Sequence, residues 1–90
     1  MEAQGSNDFV KAVDGVMASV REMLIDKNRK YGNSALEPVR IFSKADATEQ
    51  IRVRIDDKLK RIQNEQINED EDVVGDLIGY LVLYKIAKGK

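Results

Sequence analysis

Three groups of residues in this sequence have the types and spacing to do chemistry. The first is acidic. Glu69, Asp72 and Asp76 stand at i, i+3 and i+7, followed by Tyr80 at i+11. On a helix, where successive side chains step by about 100°, these four share one narrow stripe. Stacked carboxylates with no softer donor suit a hard divalent ion such as Mg²⁺. Glu69, Asp70 and Glu71 have a plainer explanation, since acids in a first turn complement the helix dipole. Asp76 differs, because it lies deeper in an apolar stretch where an unpaired carboxylate is costly. It needs a cation, either a metal or a structural Arg or Lys, and both readings stay open. Asp72 stands between the two cases.

The second group is basic: Arg54, Lys58 and Arg61 at i, i+4 and i+7, with Asp56 and Asp57 among them. These could hold phosphates, or form a solvated helix face whose exposed ion pairs contribute about 0.3–0.5 kcal/mol each. The third is Lys27-Asn28-Arg29-Lys30-Tyr31-Gly32-Asn33-Ser34. There, donors gather at a helix end beside a glycine turn, fit to bind an anion or to stack Tyr31 on a base. The plainer alternative puts Tyr31 in phase with an apolar stripe and half-buried, with the bases serving the helix C-terminus.

Composition narrows the chemistry further. The chain has 90 residues, no His, no Cys, and 15 Lys+Arg against 16 Asp+Glu for a net charge of −1. Without those two residue types there is no Ser-His-Asp arrangement, no disulfide and no thiolate zinc site within the chain. A near-neutral charge gives no global field to attract DNA. No signal peptide and no run of roughly 18 apolar residues is present, so no membrane is expected and a cytoplasmic location is.

Three helices must position these groups. The first runs from about residue 7 to 30 behind a Ser6 or Asn7 cap, after a disordered tail over 1–6. Its apolar positions Phe9, Val13, Val16, Met17, Val20, Met23 and Leu24 repeat at helical spacing, and Gly32 supplies a left-handed turn after it. An ordered loop or short helical turn follows, with Val39, Ile41 and Phe42 to cover an end of the bundle. Asp46 and Glu49 have capping-box spacing for a second helix over about 47–66, with Ile51, Ile55, Leu59 and Ile62 buried. Asn68 and Glu71 repeat that spacing before a third helix over about 69–87. That helix is apolar around most of its circumference, and Gly75 and Gly79 stand four apart on it. A glycine inside a helix costs about 1 kcal/mol relative to alanine, so two in register point to close approach of another helix. The expected fold is all-α, a single domain that assembles as a homo-oligomeric bundle through the last helix.

Taken together, KNRKYG, RIDDKLKRI and EDVVGDLIGY resemble small phage and prophage proteins. These are related to MazG-like all-α nucleoside triphosphate pyrophosphohydrolases and to a nucleotide-modification-associated phage domain. The resemblance covers roughly Leu24 to Ala87. It implies a helical oligomer in a bacterial cytoplasm that binds a nucleotide, with Asp72 and Asp76 as Mg²⁺ ligands. Lys58 and Arg61, with Arg54 beside them, would lie near the phosphates, and Lys27, Asn28 and Tyr31 near the base or sugar. The family's EE-x2-E stretch has no clear match here, so a non-catalytic nucleotide binder (a sponge for a nucleotide signal) and a helical protein-interaction module stand beside the hydrolase.

Overall fold

The computed structural model describes residues 2–65 and 70–89. It contains α1 (Glu2–Tyr31), α2 (Ala47–Gln63) and α3 (Val73–Lys88), and no strand among the described residues. The fold is all-α. The backbone of α1 is helical from Glu2 rather than from residue 7, because Glu2, Ala3 and Gln4 are good helix formers that extend a helix already nucleated downstream. After Tyr31 the chain reverses at Gly32, whose φ of 69° is the left-handed conformation expected there. Asp46 caps α2, its side chain accepting from the Glu49 N–H at 2.9 Å.

The start of α3 departs from expectation. Its cap is Asp72, which accepts from the Gly75 N–H at 2.9 Å, so the helix begins at Val73 and not at Glu69. α2 ends at Gln63, capped by Asn64, rather than near residue 66; Asn68 and Glu69 lie outside the described residues. The reason is local: any Asp or Asn in the run can cap, and Glu71 is drawn instead to a base on α2.

α3 is the middle layer. It packs chiefly on α2 and less extensively on α1, while α1 and α2 make no close approach to each other. Gly79 is where α1 meets α3: a Cβ there would lie 2.7 Å from Met23 Cε and 3.3 Å from Leu24 Cδ2. The close approach expected of the glycine pair is thus made at Gly79 by a helix of the same chain. Gly75 instead sits under its own cap, with Asp72 Oδ2 only 2.1 Å from where a Cβ would stand.

Among the described residues, the buried apolar side chains are Val20, Ile51 and Val73. Several positions assigned to the core are open. Leu59 is half-exposed, Tyr31 is 70% exposed, and Val39, Ile41 and Phe42 point into solvent, Phe42 completely. Among them Arg40 adopts φ 60°, and its guanidinium Nε and Nη2 donate to the Lys44 carbonyl at 3.2 and 2.7 Å. No helix among the described residues is long and apolar enough to cross a membrane.

Candidate functional site

The charged residues singled out by spacing come together where the three helices meet. Asp76, on the first turn of α3, is 81% covered and lies between two ammonium groups. Lys27 Nζ of α1 is 3.7 Å from Oδ1, and Lys58 Nζ of α2 is 3.6 Å from Oδ2. Lys58 is itself 17% exposed and lies 3.9 Å from Glu71 Oε1. Arg61 then pairs Glu71 through both terminal nitrogens, a fork-to-fork arrangement that fixes direction as well as charge. The result is an alternating chain, Arg61–Glu71–Lys58–Asp76–Lys27, that ties α2, the segment before α3, α3 and α1 together. Partial burial of Glu71, Lys58 and Asp76 lessens screening at the middle of the chain, while its Lys27 end is 53% exposed.

In the structure the neighbours of the Asp76 carboxylate are Lys27 and Lys58. Asp72 is engaged as well, its Oδ1 holding the cap of α3. No cluster of three acidic side chains able to hold a metal ion occurs among the described residues. One carboxylate thus caps α3 and the other lies between two ammonium groups.

Two depressions flank the ion chain. One is an open groove of about 540 Å³ between the carboxyl end of α1, the turn after it and α3. Lys27, Asn28 and Tyr31 line one wall, Asp76 and Tyr80 the other, and Leu24, Leu36 and Leu83 give it an apolar floor. Asn28 Nδ2 donates to Asn33 Oδ1 at 3.3 Å, and Asn33 Nδ2 to Glu37 Oε1 at 3.2 Å, which braces the turn against the helix end. The other depression, of about 290 Å³, lies on α2 and is lined by Arg54, Asp57, Lys58, Lys60, Arg61 and Tyr80.

The six residues expected around a nucleotide therefore divide into two sets of three, one in each depression, with Tyr80 bordering both. Arg54 and Lys60, which take part in none of the ion pairs among the described residues, line the smaller depression beside Asp57. Of the same basic run, Arg29 lies in the last turn of α1 and Ser34, in the turn after it, lines the larger groove.

Two features were not readable from spacing. Glu71 is a partner of Arg61 and Lys58, although its place in an acidic run made it look like helix-start electrostatics. Arg52 donates to the Tyr84 hydroxyl at 2.9 and 3.2 Å and to Glu49 at 3.1 Å. The Tyr84 hydrogen bond, then the Glu49 one, raises the Arg52 pKa above its ordinary value. An arginine 32 residues from a tyrosine leaves no local signature.

Compared with protein families, characterised proteins and solved structures, the chain matches none of them.

Proposed function

We propose that this chain is a binding protein for a small anionic ligand carrying an aromatic ring, of the nucleotide class, and that it holds the ligand without cleaving it. The observation that carries the reading is the shared Tyr80 wall. On one side lies a groove with a tyrosine face, an amide and an apolar floor. On the other side lie Arg54, Lys58, Lys60 and Arg61. An aromatic ring stacked in the groove beside Tyr31, with phosphates reaching past Tyr80 to Arg54 and Lys60, would use both. The groove has the volume of ordinary small-molecule sites, about 300–1,000 Å³. The resemblance to MazG-like proteins supports the same ligand class.

Hydrolysis is the weaker reading because Asp72 and Asp76 would first have to leave a helix cap and two ion pairs. Mg²⁺ would then compete with ammonium groups already in place.

The test is isothermal titration calorimetry with each ribo- and deoxyribonucleoside triphosphate, with and without Mg²⁺, followed by chromatography of the recovered nucleotide. The expected result is saturable heat for at least one nucleotide, recovery of that nucleotide intact, and loss of the heat in Tyr31→Ala or Arg54→Glu. No heat and no rise in melting temperature across the panel would overturn the binding reading. Release of monophosphate and pyrophosphate, abolished by Asp76→Asn, would restore the hydrolase.

A further inference from the structure

Among the described residues, the apolar stripe on the amino-terminal half of α1 is left uncovered. Phe9 is 69% exposed, and Val10, Val13, Val16 and Met17 are each between 42% and 54% exposed. Phe9, Val13, Val16, Val20 and Met23 follow one another at intervals of four, three, four and three residues. That is the spacing of a coiled-coil seam, with Val10 and Met17 widening it on one side. A seam of this kind is made to receive another helix.

The area involved identifies the occupant. The chain exposes 7252 Å², about 1,900 Å² more than the ~5,300 Å² expected of a compact monomer of this size. Its radius of gyration is 15.7 Å, against about 12 Å for a compact domain of this length. A standard interface takes only about 800 Å² from each partner. The whole-chain excess is larger than that share, Phe9, Val10, Val13, Val16 and Met17 are among its apolar contributors, and the same seam is available on every copy.

We infer that a second copy of this chain packs on α1 between Phe9 and Met17, with the two helices antiparallel and crossing at Val13. The direction follows from where the rest of the chain sits. Met23 and Leu24, which receive α3 at Gly79, lie on the same stripe as Phe9, Val13 and Val16. In a parallel pair both copies of α2 and α3 would compete for the space between the helices. In an antiparallel pair they are carried to opposite ends. Val13 then meets its own mate on the two-fold axis, Phe9 lies level with the partner's Met17, and Val10 with the partner's Val16. This interface is distinct from the last helix, and its formation does not depend on a nucleotide.

The experiment is sedimentation equilibrium of the full chain, alone and as Val13→Asp, with circular dichroism as a control for helicity. The expected result is a dimer for the unaltered chain. Because Val13→Asp places two carboxylates together on the axis, self-association should weaken by at least about 30-fold. A monomer for the unaltered chain, or an undiminished Val13→Asp dimer, would overturn the proposal. Since the chain has no cysteine, Phe9→Cys and Met17→Cys variants test direction without relying on Val13→Asp. Mixed and oxidised, they should give the mixed disulfide dimer. Self-crosslinking of Phe9→Cys alone, with no mixed product, would overturn the antiparallel arrangement.

Discussion

The two halves of α1 carry one apolar stripe and have opposite fates. From Val20 onward the stripe meets α3: Val20 is buried and Met23 and Leu24 close on Gly79. From Phe9 to Met17 the same periodicity faces outward. Helical spacing thus records which side of a helix seeks cover, but it does not record whose atoms provide it. In the carboxyl half a polar device supports the packing, because Lys27 reaches Asp76 one turn beyond Leu24. Nothing comparable holds the amino half.

Removing one apolar side chain from each region should separate their two fates most strongly. Ile51, 2% exposed, anchors the packed region, and Ile51→Ala should cost about 2–5 kcal/mol in urea unfolding. Val13→Ala, measured at protein concentrations too low for self-association, should change stability by no more than about 0.5 kcal/mol. Equal losses at both positions would mean that the amino half is held within the monomer after all.

The ion chain offers a smaller and more selective test. Asp76→Ala leaves Lys27 and Lys58 without their shared partner, and Lys58 is largely covered. A loss of about 1–3 kcal/mol is expected, below the 3–5 kcal/mol of a fully buried pair because solvent still reaches the site. The control is the exposed Asp26–Lys30 pair at 3.4 Å, where Lys30→Ala should cost at most about 0.5 kcal/mol. If both changes have the same small effect, the alternating chain is only a surface feature.

How much of this was legible beforehand depends on the range of the interaction. The three helices, the Gly32 turn and the Asp46 cap follow from residues within four positions of one another, and all are present. The close contact at Gly79 was legible as well, because a glycine that weakens a helix needs a compensating neighbour. Spacing could not reveal that the neighbour was α1, since that depends on the path of the whole chain. Tyr31, Leu59 and Phe42 lie on apolar patterns yet remain open, because so short a chain has too few side chains to cover every face it offers. At the site, Asp76, Lys58 and Arg61, which spacing singled out, lie in one chain of ion pairs. Spacing could not distinguish a metal ligand from an ion-pair partner, which depends on Glu71 and Lys27 arriving from other segments.

Asp72 gives the smallest and most discriminating prediction, because its two proposed roles respond differently to one atom. As a cap, its side chain needs only an oxygen acceptor for the Gly75 N–H, and asparagine supplies one. Asp72→Asn should therefore keep most of the stability, while Asp72→Ala should lose about 1 kcal/mol, both read from urea unfolding. As a Mg²⁺ ligand it would need the negative charge. Any stabilisation by Mg²⁺, measured as a rise in melting temperature, would then disappear in Asp72→Asn as fully as in Asp72→Ala. The geometry predicts the first pattern, since the oxygen already directed at the helix end is half of what a metal would require. A Mg²⁺-dependent rise that vanishes in Asp72→Asn would show that the cap opens to admit the ion, and the acidic edge of α3 would then differ from the apolar arm of α1 in function as well as in packing.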